Sequence, residues 1–247
     1  MRRVLFVITL LTLVLVTVTA CAAESAPTEE PSNIDEPSTS TSFPEDLTPE
    51  QPSAGPAEKT VIEQLAANLG LQESDISVVS SEEVEFGDAC LDVEMEGVLC
   101  AQVVTPGHII VLEAKGIQYK YHTSADGSRV QPATLALVWK REGGIAGFCD
   151  TLTVFLSGEV YANQCKGQPE GKMGTLAQLL SATEQRQFSR WIADFGQLDL
   201  DASDPKGVSD RMVITLSLFG TGNKQPTESD QKALLGFAQN LYQKLAQ

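Results

Sequence analysis

Seven of the chain's twelve prolines fall between residues 22 and 57, and no other stretch limits so firmly what this chain can fold into. The same 36 residues hold eight acidic side chains, no basic one, and many Ser and Thr. Such a segment cannot bury enough apolar surface to offset the entropy of ordering it, so it reads as a disordered tether. As a flexible coil it spans about 30–36 Å, and as extended polyproline about 110 Å; proline and like-charge repulsion favour the longer figure. Folding is thereby confined to residues 58–247, enough for one large or two small domains.

The residues ahead of the tether have three parts. Met1-Arg2-Arg3 is basic, Val4 to Thr19 is almost wholly apolar, and small residues surround Cys21. That order is the layout of an export signal. Val18-Thr19-Ala20-Cys21 resembles the lipobox of bacterial lipoproteins. The resemblance implies removal of residues 1–20 and a diacylglycerol on the Cys21 thiol, often with a further acyl chain on its amine. Two or three chains anchor stably where one does not, because each buried CH₂ contributes about 0.8 kcal/mol. Two other readings exist. Ala20-Cys21-Ala22 also fits the pattern of an ordinary cleaved secretion signal. Val4–Ala20 is short for an uncleaved transmembrane helix. The expected location is the extracytoplasmic side of a bacterial membrane, with the lipid on Cys21 as the one covalent group and no other cofactor.

Charge narrows the partners. The chain has a formal charge of −16, and loss of Arg2 and Arg3 with the signal makes it −18. Eight of those charges lie in the tether, which leaves about −10 on the folded part. Phosphate binding needs basic density, so nucleic acid is not an expected partner. Adhesion to anionic lipid headgroups is disfavoured for the same reason. The expected partners are the membrane, through the lipid anchor, and a protein or peptide.

With Cys21 set aside, Cys90, Cys100, Cys149 and Cys165 remain, an even number in an exported chain. Three disulfide connectivities are possible. The local one, Cys90–Cys100 with Cys149–Cys165, is expected. A Ser157-Gly158 hairpin turn would bring Cys149 within one bulge of direct opposition to Cys165. A four-cysteine zinc site lacks any closely spaced cysteine pair.

The hydrophobic patterning predicts an α+β fold of two small modules, each an antiparallel sheet packed by one or two helices. The first module, 58–131, opens on a capping box at Thr60-Val-Ile-Glu63 and a short helix. Strands follow at Ile76–Phe86, Ala101–Thr105, His108–Ala114 and Ile117–Thr123, the last two joined at Lys115-Gly116. The second module, 132–247, has a strand at Leu135–Arg141, a glycine-rich loop, and the cysteine-bearing hairpin. A helix capped by Ser181 and Glu184 follows, with Phe188, Trp191, Ile192 and Phe195 on one stripe. A strand at Arg211–Phe219 and a final helix capped by Thr227 complete it.

Trp139-Lys-Arg-Glu-Gly-Gly-Ile-Ala-Gly-Phe148, with the elements after it, resembles the emfourin-like proteins. Those are small α+β proteins whose founding member inhibits thermolysin-type metalloproteases. The likeness implies an interaction loop at Gly143, Gly144, Ile145, Gly147 and Phe148; the cysteine-bearing hairpin departs from that pattern. The first module is loosely similar in layout to the PepSY-like domains of exported bacterial proteins.

Catalytic signatures are missing from the sequence. There is no G-x-S-x-G, and with His108 and His122 the only histidines no nucleophile–base–acid set can be proposed. Residues pairing across the Lys115-Gly116 turn would set these histidines on opposite sheet faces. Gly220-Thr-Gly222 lacks the third glycine of a phosphate loop. The Asp199–Asp210 stretch superficially follows a calcium loop, but Asp204 stands where that loop needs glycine. The sequence therefore points to a non-enzymatic binding lipoprotein, with no catalytic or metal-ligating residues assigned. A peptidase inhibitor and a structural envelope component are the alternatives.

Overall fold

The computed structural model describes residues 55–94, 98–164 and 176–246. Cys21, the tether before residue 55, and Cys165 lie outside the described residues. Helix α1 (Pro56–Leu69) starts four residues before the expected capping box. The reason is local. Pro56 sits at the first helical position, where its fixed φ suits the helix and its missing N–H is not needed. The Glu58 carboxylate accepts the Gly55 N–H, so the cap forms there instead. Thr60 lies inside the helix and its Oγ1 donates to the Pro56 carbonyl at 3.0 Å. Gly70, at φ 64°, ends the helix in the left-handed conformation that glycine adopts without strain.

A four-stranded antiparallel sheet follows, built from β1 (Ile76–Phe86), β2 (Thr105–Ala114), β3 (Ile117–Ser124) and β4 (Val130–Pro132) in that spatial order. The β2–β3 register is the expected one, with His108 opposite Thr123 and His122 opposite Ile109. The Ala101–Thr105 strand does not form as expected. The β1–β2 ladder ends at the Phe86–Thr105 pair, so residues 101–104 have no strand to join beyond an Ala89 N–H to Ala101 carbonyl bond of 2.9 Å. The chain there is held by the Cys90–Cys100 disulfide, Cα–Cα 5.6 Å. Replacing both cysteines with serine should lower the unfolding free energy by about 2–3 kcal/mol, through the closure entropy of a short loop. Denaturant titration of the double variant checks it.

The second sheet has six strands in the order β8-β7-β6-β5-β10-β9. They are β5 (Leu135–Gly143), β6 (Phe148–Phe155), β7 (Glu159–Gln164), β8 (Leu176–Leu179), β9 (Gln197–Asp201) and β10 (Met212–Phe219). Two readings change here. The β6–β7 turn uses three residues, Leu156-Ser157-Gly158, and the register moves by one so that Val154 faces Val160. Gly158, at φ 95°, takes the positive-φ position of this longer, three-residue turn. The acidic stretch from Asp199 is in part a strand. Leu198 and Leu200 face Leu218 and Leu216 of β10, while Asp199 and Asp201 alternate outward.

Helices α2 (Ala182–Asp194) and α3 (Glu228–Leu245) start at Ser181 and Thr227, as their caps predict. Phe188, Trp191 and Ile192 are buried on α2; Leu234, Ala238, Leu241 and Tyr242 are buried on α3. Phe237 joins the two helices, stacked on Phe188 and edge-on to Trp191. The chain is α+β, with α1 against the first sheet and α3 contacting the second at β6. Core residues of both sheets, from Val61 and Tyr121 to Trp139 and Phe188, form one continuous cluster. Tyr119 and Tyr121 are part of it, so they pack inward and form no exposed aromatic face. Val93, next to the disulfide, packs on Phe155 in a second, small cluster.

An acidic side chain lies in that core. Glu159 is 1% exposed, yet accepts from donors on three elements. Gln64 Nε2 (3.1 Å) and Asn68 Nδ2 (2.6 Å) come from α1, the Tyr121 hydroxyl (3.5 Å) from β3, and the Ser157 hydroxyl from the β6–β7 turn. Burial of Tyr121, with Glu159 beside it, drives that phenol's pKa well up, so it stays protonated and donates. Glu159 thus ties the first sheet and its helix to the second sheet.

Candidate functional site

The glycine-rich loop lies at the β5–β6 hairpin. Gly143, Gly144 and Gly147 have φ of 80°, 68° and 59°. At Gly143 a Cβ would also come within 2.5 Å of the Arg211 carbonyl, so only glycine fits. Two hydrogen bonds fix the loop: Gly144 N–H to the Arg211 carbonyl at 3.1 Å, and Gly147 N–H to the Gly144 carbonyl at 2.9 Å. The result is a clamped turn with Ile145 at its tip, 94% exposed.

Beneath the loop is an ion pair that the sequence reading did not single out. β5–β6 register places Arg141 opposite Asp150. Arg141 Nε donates to Asp150 Oδ2 at 2.8 Å, and Nη2 donates to the same oxygen. The other carboxylate oxygen accepts from the Tyr242 hydroxyl of α3 at 2.7 Å. The guanidinium lies 3.9 Å from the Phe148 ring centre, with Trp139 and Tyr242 at 5.7 and 5.6 Å. Such stacking contributes about 0.5–2 kcal/mol per contact, the larger figure when water is excluded. Burial first, and then Asp150, push the Tyr242 pKa up to about 12, so at neutral pH this phenol donates. Phe148 therefore anchors the loop's end on a fixed cation.

Cys90 and Cys100 pair with each other. Cys149 is disulfide-bonded, while Cys165 and the expected Cys149–Cys165 bridge lie outside the described residues. Asp88 lies close to the Cys90 and Cys100 sulfurs, but those sulfurs are bonded to one another and Asp88 accepts the Cys90 and Asp92 N–H groups. The acidic stretch is committed locally. Asp199 accepts from Ser217, Asp201 from the Ser203 N–H, and Asp204 from the Met212 N–H.

His122 stacks on Phe86 at 5.0 Å, and its Nδ1 is 2.7 Å from the Leu91 carbonyl. Burial lowers its pKa from the ordinary 6.5, with Lys120 adding and the Leu91 bond and Asp92 opposing. The folded chain therefore prefers the neutral ring. Its stabilisation is complete above the unfolded value of 6.5 and is lost as pH falls from there towards the lower folded value. Denaturant midpoints measured from about pH 7.5 to 5 should fall more for the parent than for His122→Gln.

Residues 58–132 match the family described as a domain of unknown function (DUF8738). The match runs from the first turn of α1 to the end of β4. No curated protein and no solved structure matches the chain. Among the described residues, no helix is long and apolar enough to cross a membrane.

Proposed function

We propose that this chain is a membrane-anchored, extracytoplasmic lipoprotein that acts as a non-enzymatic binding protein, with the Gly143–Phe148 loop as its contact. One observation carries the binding half: Ile145 stands almost fully exposed on a turn clamped by backbone hydrogen bonds and by the Phe148–Arg141 stack. A large apolar side chain on a backbone fixed before docking costs no loop-ordering entropy on binding, which is what a recognition anchor requires. The anchoring half rests on Val18-Thr19-Ala20-Cys21 and on the acidic, proline-rich stretch that would hold the folded part off the headgroups.

Each half has its own test. Lipidation at Cys21 predicts that the parent stays with membranes through high-salt and carbonate washes while Cys21→Ser is released. A Cys21→Ser chain that has lost residues 1–20 and is still retained removes the proposal. Binding through the loop predicts that Ile145→Asp loses a protein or peptide captured by the native lipoprotein. Retention of that partner would show that the loop is not the contact.

The same loop favours peptidase inhibition as a second reading, because it is convex and conformationally fixed. Full-length protein at micromolar concentration should then suppress a thermolysin-type enzyme, and Ile145→Asp should not. Unchanged peptidase activity removes this reading and leaves the first intact.

A further inference from the structure

We infer that the cavity between the β2–β3 turn, α2 and the end of β10 is a binding site for a neutral, mostly apolar small molecule. Its volume is about 370 Å³, within the range of small-molecule sites. Ile117, Leu135, Leu156, Ile192 and Phe219 make its apolar walls. Gln118 and Ser189 supply an amide and a hydroxyl, the few polar groups that orient a ligand in such a site.

Three observations support a ligand of this chemistry. None of the lining residues is ionisable, in a chain that carries 33 acidic and 17 basic residues. A charged ligand would lose its hydration there with no countercharge to replace it. The walls are fixed before any ligand arrives. The Leu156 N–H bonds the Thr134 carbonyl at 2.9 Å, the Thr221 N–H bonds the Ile192 carbonyl at 2.8 Å, and Thr134 Oγ1 accepts the Lys120 N–H at 2.9 Å. Lastly, Phe219 at the end of β10 lies on the sheet face opposite buried Leu216 and Leu218, and its ring is 37% exposed at this cavity. A bound apolar molecule would cover that ring. The walls come from both sheets and from α2, which encloses a molecule better than it accepts a flat protein surface.

The test uses the full Cys21→Ser chain, which carries no acyl groups to compete, and the neutral fluorescent probe N-phenylnaphthylamine. Saturable one-to-one binding is expected. Ala193→Trp, from an exposed helix position at the cavity, should weaken it by about tenfold or more, a factor that corresponds to about 1.4 kcal/mol. The sulfonated analogue of the probe should bind at least about tenfold more weakly than the neutral one. If Ala193→Trp does not fold by circular dichroism, Gln118→Trp on the opposite side replaces it. Absence of saturable binding, binding unchanged by the blocking variant, or equal affinity for the sulfonated probe would each overturn the inference.

Discussion

Glu159→Ala should cost about 3–5 kcal/mol of unfolding free energy. Four donors converge on this carboxylate, and truncation leaves them facing an apolar core. A buried donor left without its partner costs about 1–3 kcal/mol, and hydrogen bonds to charged groups lie at the upper end. The donors cannot all turn to water, because Tyr121 and Ser157 are themselves buried. Glu159→Gln keeps the volume and one acceptor oxygen but points an amide at groups that also donate, so it should cost about 1–2 kcal/mol. The parent should unfold in one transition when followed by both tryptophan fluorescence and circular dichroism. A loss below about 1 kcal/mol for Glu159→Ala would mean that the two sheets are joined by their apolar contacts alone.

The second large effect belongs to Arg141. Arg141→Ala leaves Asp150, 5% exposed, with the Tyr242 hydroxyl but no cation. Removing one partner of a buried pair typically costs about 3–5 kcal/mol. The Arg141 side chain is 21% exposed and Asp150's only 7%, so an unpaired arginine can recover some hydration where an unpaired aspartate cannot. Arg141→Ala should therefore be more damaging than Asp150→Ala. Arg141→Lys restores charge but neither two donors in one plane nor the stack on Phe148, and should recover only part of the loss. Hydrogen exchange at Gly144 and Gly147 should accelerate in Arg141→Ala, because the stack on Phe148 is lost. Equal destabilisation by Arg141→Ala and Asp150→Ala would contradict this reading of the pair.

Much of this fold was legible locally. Alternation of Met212, Ile214, Leu216 and Leu218 located β10, and the Ser181 and Thr227 caps located α2 and α3, because those signals act within a few residues. The start of α1 was missed because two caps competed, and Gly55-Pro56 with Glu58 won over Thr60 with Glu63. Strand β9 was missed because its aspartates suggested a loop; Leu198 and Leu200 between them carried the period-two signal.

The candidate site divides in the same way. Its loop could be read from Gly143, Gly144 and Gly147, but the Arg141–Asp150 pair needed the β5–β6 register, which the sequence analysis did not assign. Tyr242 needed the docking of α3, although Ala238, Leu241, Tyr242 and Leu245 already mark one helical stripe. Glu159 gave no sequence signal, since Gln64 and Asn68 stand 95 and 91 residues away. The wall residues of the cavity likewise meet only through packing.

The most direct test of the binding proposal is a photoreactive amino acid placed at position 145 of the native lipoprotein in intact cells, with exposed Gln243 on α3 as the control position. Illumination should give a discrete adduct from position 145, dependent on Cys21, and none from position 243. No adduct at 145, or the same adducts from both positions, would contradict the proposal that this chain is a tethered binding protein working through its glycine-clamped loop.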